Sequence, residues 1–165
     1  MLISEKINAA INEQIGREFG ASLQYVAIAG YFDAENLPQL ASYFHKQADE
    51  EREHALKFVR FIADTGGRVA VPAVSAAKSQ FSSAEEAVKL SLEWEEKVTQ
   101  QIYDLVNLAA KEGNWITHHF LQWYVDEQLE EVSSMDLLLD TVRRAKDQLL
   151  FVEDYLARAG HPEEK

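Results

Sequence analysis

Asp49-Glu50-Glu51-Arg52-Glu53-His54-Ala55-Leu56-Lys57-Phe58-Val59-Arg60-Phe61-Ile62 is the stretch on which the fold turns. Taken at about 3.6 residues per turn and extended back to Leu40, it yields one face: Leu40, Phe44, Gln47, Glu51, His54, Phe58, Ile62. That is the apolar stripe of a long amphipathic helix. Its middle, however, carries a carboxylate and an imidazole one turn apart, close enough to meet the same ion or adjacent ions.

The same step applied to the rest of the chain finds three more stripes of this kind. One reads Ile7, Ile11, Gln14, Glu18, Ser22, Tyr25, Ala29, Phe32; another reads Val88, Leu92, Glu95, Val98, Ile102, Val106. The last reads Leu121, Tyr124, Gln128, Glu131, Met135, Leu139, Val142. Each is interrupted near its centre by a glutamate. The prolines and glycines fall between the periodic segments: Gly66, Gly67 and Pro72 in a long break, Pro38 and Gly113 in short ones, Gly160 and Pro162 at the end. The spacing predicts an all-α chain with helices over about 5–33, 38–64, 83–111, 115–145 and 148–159. Ser4 is placed to cap the first, and Ser82 or Ser83, with Glu85 and Glu86 following, to open the third as a capping box.

Short links at 34–37 and 112–114 make two antiparallel helix hairpins. The link at 65–82 is too long for a turn. Extended at ~3.3 Å per residue it spans a helix of ~28 residues rising ~1.5 Å each, so it is expected to cross the length of a four-helix bundle. Each hairpin alone would leave an apolar face in water, which favours one domain over 1–165.

An unpaired buried carboxylate costs several kcal/mol, so one per helix at similar depth requires compensation. None of the four stripes contains lysine or arginine. A bound cation is the remaining compensator. Glu18, Glu51, Glu95, Glu131, His54 and Gln128 form a hard, mostly oxygen donor set, suited to iron or manganese, with zinc as a competitor. The formal net charge of −12 argues against a nucleic-acid partner and agrees with attraction of cations. There is no cysteine, no run approaching the ~18 apolar residues of a membrane span, and no basic, apolar leader at Met1-Leu2-Ile3-Ser4-Glu5-Lys6, so a cytoplasmic location is expected.

At these residues the chain resembles the bacterial non-haem ferritins over essentially its whole length. The resemblance rests on Glu18-Phe19-Gly20-Ala21-Ser22-Leu23-Gln24-Tyr25, on Asp49-Glu50-Glu51-Arg52-Glu53-His54, and most specifically on Leu121-Gln122-Trp123-Tyr124-Val125-Asp126-Glu127-Gln128-Leu129-Glu130-Glu131. It implies a ferritin-like diiron bundle that oxidises Fe²⁺ with O₂ or H₂O₂ and stores the ferric product as a mineral. By the same resemblance Glu18, Glu51 and His54 hold one iron, Glu51 bridges to the second, and Glu95 and Glu131 hold that second iron with Gln128 beside the pair. Tyr25 matches a tyrosine implicated in electron supply, and Glu50, Glu127 and Glu130 match the carboxylates of a third iron site.

The segment from Asp147 to Leu156 resembles the short fifth helix of the family, which implies a twenty-four-subunit homo-oligomeric cage. Bacterioferritins differ by a second Glu-x-x-His motif on the fourth helix and by a haem-ligating methionine on the second. Here Gln128 and Glu131 stand on the fourth helix, the only methionines are Met1 and Met135, and Arg52 occupies the haem-ligand region, so no haem is expected. A bacterioferritin-like protein or another diiron oxidase or oxygenase is the alternative reading. His118 and Leu121 fall where animal ferritins carry the acids of their three-fold channels, which implies another route for iron.

Overall fold

A computed structural model describes residues 1–162. Among the described residues it contains α1 (Glu5–Ala34), α2 (Pro38–Asp64), α3 (Ala84–Lys111), α4 (Trp115–Ala145) and α5 (Leu150–Ala159), and no strand. None of these helices is long and apolar enough to cross a membrane.

Local chemistry accounts for most boundaries. Ser4 accepts the Ile7 N–H at 3.1 Å to open α1, and Asn114 accepts the Thr117 N–H at 3.0 Å to open α4. Of the two candidate serines, Ser83 is the N-cap of α3, accepting the Glu86 N–H at 3.1 Å, so α3 begins at Ala84 and not at 83. The Glu86 carboxylate reaches back to the Ser82 N–H at 2.6 Å. The fifth helix starts at Leu150, two residues later than the 148 expected, because the chain from Lys146 first makes a turn with a positive φ of 53°.

α2 has no cap of its own: Leu37 precedes Pro38, and no side chain in the link bonds its first turn. The cap comes instead from α5. The Glu153 carboxylate accepts the N–H groups of Gln39 and Leu40, both at 2.9 Å. These are orphan donors of a helix start, and the negative charge also suits the positive end of the helix dipole. With Val152 and Leu156 buried beside it, this contact docks α5 on α2 and α4. Leu150 and Phe151 stay 77% and 66% exposed. Replacing Glu153 with alanine is expected to cost about 1–2 kcal/mol, read as a lower midpoint in denaturant unfolding. An unchanged midpoint would show the cap to be dispensable.

The four long helices form a bundle with two apolar ends. Ile7, Ile11, Ile15, Phe58, Ile62, Val98, Ile102, Leu121 and Tyr124 fill one, and Tyr25, Ile28, Phe32, Leu40, Phe44, Val88, Met135 and Leu139 the other. The start of α1 and the end of α2 share one end, as do the end of α3 and the start of α4. α2 and α3 therefore run parallel, and the segment between them must traverse the full bundle.

That crossover lies along α1, held by side chains spaced four apart. Asn8 and Asn12 bond the backbone of Arg68 and Ala70, and Gln24 both donates to the Lys78 carbonyl (2.8 Å) and accepts its N–H (2.9 Å). An extended segment with no strand partner needs such donors and acceptors. Between them Gly16 leaves room for the Pro72 ring, which a Cβ would strike, and Gly20 admits Val74.

The α3 face departs from the expected phase. Ser91 and Leu105 are buried where Leu92 and Val106 were expected, and the latter two are half-buried. The two arcs differ by one residue, a choice set by how α3 rolls against α1 and α4. Buried Ser91 is satisfied by donating to the Ala87 carbonyl at 3.0 Å. Leu121 is fully buried in the core, so it cannot line a channel, while His119 is exposed and His118 rests against Trp115.

Candidate metal centre

Between the two apolar ends lies a polar belt contributed by all four long helices. Glu18, Glu51, His54, Glu95, Gln128 and Glu131 are each buried, none more than 5% exposed. The stripes place them there: each of these residues sits on the face that elsewhere carries isoleucine, phenylalanine or valine. The belt brings together all six residues expected for the centre.

Their ligand atoms form two adjoining groups that share one residue. Glu18, Glu51 and His54 have donor atoms within 4.8 Å of one another, and so do Glu51, Glu95 and Glu131. A third group of the same span combines His54, Glu127 and Glu131.

Each carboxylate is steadied by a neutral or ring partner. Gln14 Nε2 donates to Glu18 Oε1 at 2.8 Å, Gln47 Nε2 to Glu131 Oε2 at 2.8 Å, and Gln128 Nε2 to Glu95 Oε2 at 3.2 Å and Thr99 Oγ1 at 3.1 Å. The Tyr25 hydroxyl donates to Glu95 Oε1, and His54 Nδ1 lies 3.3 Å from Glu51 Oε2. Glu18 Oε2 and Glu51 Oε1 are buried and meet no hydrogen-bond partner among the described residues. Buried carboxylate oxygens without a partner, on two residues of one ligand group, are what a cation would satisfy.

The electrostatics agree. Burial, and then the charge of Glu131, push the Glu95 carboxyl up to about 8. Burial and the nearby Glu95 raise Glu51 well above the carboxylate range, against the opposing pull of His54, and burial raises Glu131. Burial alone would lower His54, but the attraction of Glu51 and the hydrogen bond to Glu127 outweigh it and take the imidazole up to about 12. Burial also keeps the Tyr25 phenol protonated far above its ordinary range, with Glu95 adding to the effect. Without metal the belt prefers to hold protons; a divalent cation would replace them.

Of the three further acids, Glu50 and Glu127 are half-buried and Glu130 is exposed. Together with Gln47, Glu131, Ser134, His161 and Pro162 they line a cavity of about 10 Å³, roughly the room of one water or ion. Glu127 also approaches His54 Nε2 at 3.6 Å, so it can orient the imidazole whose other nitrogen faces Glu51.

Three side chains beside the belt were not assigned from the sequence. Gln14 and Gln47 lie on the stripes but carried no assigned role; their signal was a buried amide one turn before a buried glutamate. His161 carried no signal, since it lies beyond the last periodic segment.

Residues 8–145 match the pattern that defines the Ferritin-like domain. The chain is 44% identical to ferritin BfrB of Mycobacterium tuberculosis over 153 residues, 93% of this chain and 84% of that protein. It is 38% identical to a bacterial non-heme ferritin of Staphylococcus epidermidis, with 88% of each covered. Among solved structures, an open pore ferritin of the archaeon Archaeoglobus fulgidus superposes with a TM-score of 0.91 at 37% identity, over 94% of this chain and 96% of that one. A closed form of the same ferritin, engineered by mutagenesis, superposes with a TM-score of 0.92.

Proposed function

The chain belongs to the ferritin family, and from that premise we propose that it is an iron-storage subunit with ferroxidase activity, one diiron domain over residues 1–165. The observation that carries this reading is the pair of ligand groups joined through Glu51. Two Fe²⁺ ions bind as substrates, one at Glu18, Glu51 and His54, the other at Glu51, Glu95 and Glu131 with Gln128 beside it.

The chemistry balances simply. Each Fe²⁺ gives one electron, and O₂ with two protons takes both to become H₂O₂; with H₂O₂ as oxidant the same two electrons and two protons give water. The chain's residues supply the rest. Glu51 holds the two ions side by side, so both electrons are available to one oxidant. The carboxylates favour the higher charge of Fe³⁺, and His54 gives one nitrogen donor oriented by Glu127. Tyr25, bonded to Glu95, is placed to exchange an electron with the second position. Glu50, Glu127 and Glu130 are proposed as a third, more accessible iron position on the way out of the pair.

Storage requires a container. We assign that role to a closed homo-oligomer of twenty-four chains, cytoplasmic, with exposed Leu150 and Phe151 of α5 among the apolar residues left for contacts between copies. No haem, nucleic acid or membrane belongs to this reading.

Rapid-mixing oxidation of Fe²⁺ with O₂ consumption tests the catalytic part. The fast phase is expected to saturate at two Fe²⁺ per chain. A fast phase that saturates at one, or is absent, would remove the dinuclear assignment. A solution mass near that of one or two chains would remove the cage and leave the chemistry standing.

A further inference from the structure

Beyond α5 the chain turns back into the bundle. Gly160 ends the helix with φ 71°, its N–H bonded to the Leu156 carbonyl at 2.9 Å, and the next residue, His161, is buried to 4% exposure. Its ring packs on Tyr43 with centroids 4.9 Å apart. Both ring nitrogens face α2: Nε2 lies 2.8 Å from Gln47 Oε1, and Nδ1 lies 3.2 Å from Glu50 Oε1. Gln47 is the residue whose amide nitrogen holds Glu131, and Glu50, Glu131, Gln47 and His161 line one small cavity. The imidazole thus links Glu50 to Gln47, and through Gln47 to Glu131, along one edge of the metal centre.

We propose that His161 is a positioning residue of the iron centre, carried in by the turn after α5, which sets the orientation of the Gln47 amide and through it the Glu131 carboxylate. The proposal rests on the dinuclear reading above and assigns it a part that lies outside the four-helix ligand set. The chemistry is specific. An amide can turn over and present either its oxygen or its nitrogen to Glu131. Only the orientation with nitrogen toward Glu131 leaves the Gln47 oxygen free for a donor on the other side, and His161 Nε2–H is that donor. Without it, the flipped amide would aim an oxygen at a carboxylate oxygen and push Glu131 away from the second cation position. Partners one step removed from a metal change its affinity by roughly 10–100-fold.

The test is titration of the intact, metal-free protein with Co²⁺, followed by visible absorption, which reports ligand geometry as well as affinity. In His161→Ala the second Co²⁺ is expected to bind about tenfold more weakly while the first is unchanged. His161→Gln places an amide nitrogen where Nε2 stands and is expected to restore the second affinity. His161→Asn reaches only as far as Nδ1 and is expected to behave like alanine. Equal second-site affinity in wild type and His161→Ala would overturn the proposal. So would glutamine and asparagine variants that bind alike, because a histidine that merely fills space does not distinguish them. That comparison stands even if the alanine variant does not fold. A wild-type protein that takes up no pair of Co²⁺ would instead bring down the dinuclear reading, and the proposal with it.

Discussion

The Glu51→Ala, His54→Ala double variant is expected to lose Fe²⁺ oxidation by a factor of about 100 or more, since even partners behind a ligand are worth roughly 10–100-fold. Glu51 belongs to both ligand groups, so its removal takes a donor from each ion at once, and His54 is the imidazole of the first group. Glu18→Ala touches only one position and should slow oxidation less than the double change. The fold is expected to survive, because the apolar ends of the bundle are complete without the belt. Removing Glu51 also removes a buried carboxylate whose ionised form burial opposes. Stopped-flow oxidation alongside circular dichroism decides: a folded double variant that oxidises Fe²⁺ at the wild-type rate would place the chemistry elsewhere.

Metal-free protein is expected to lose stability as pH rises from 5 to 8, and divalent metal to restore it. In the folded state the Glu95 carboxyl is raised to about 8 from an ordinary value of 4.5, so between those values the folded chain holds a proton that the unfolded chain has released. His54, raised to about 12 from 6.5, acts in the same direction: its stabilisation is complete below 6.5 and fades as pH climbs toward 12. More protons bound in the folded state means stability falls with increasing pH. The loss by pH 8 is of the order of a few kcal/mol, which for a chain of this size is a fall of roughly 5–10 °C in Tm.

Co²⁺ or Fe²⁺ under anaerobic conditions binds the ionised carboxylates, so it should raise Tm most at pH 8 and release protons as it binds. Glu95→Gln should flatten the metal-free pH dependence. Calorimetry at the two pH values, with and without Co²⁺, checks all of this; a metal-free Tm that increased toward pH 8 would contradict the assigned shifts.

The four stripes were readable because helical periodicity is local. Ile7 to Phe32 and Leu40 to Ile62 name their buried faces without reference to any neighbour, and the glutamates within them stand out because lysine and arginine are missing. The length of the 65–82 link could be read in the same way, since reach per residue is a covalent property. The ladder that holds it was also in view, as Asn8, Asn12, Gly16, Gly20 and Gln24 at a spacing of four, but nothing in a single helix says what such a ladder grips. On α3 the expected Leu92 gave way to Ser91, because a roll of one position about the axis satisfies the same periodicity.

What the sequence by itself determined is therefore the helical bundle, the long crossing between its hairpins, and the level at which Glu18, Glu51, His54, Glu95, Gln128 and Glu131 meet, because each follows from spacing along one helix or from the reach of the chain. Only the tertiary structure decided that Glu153 caps α2 and that His161 returns to Gln47 and Glu50. Glu153 lies more than a hundred residues from the Gln39 and Leu40 amides it serves, and so does His161 from Gln47 and Glu50. Such contacts depend on how α5 docks and where the chain turns after Gly160, and those are settled by packing between elements and by no pattern within one.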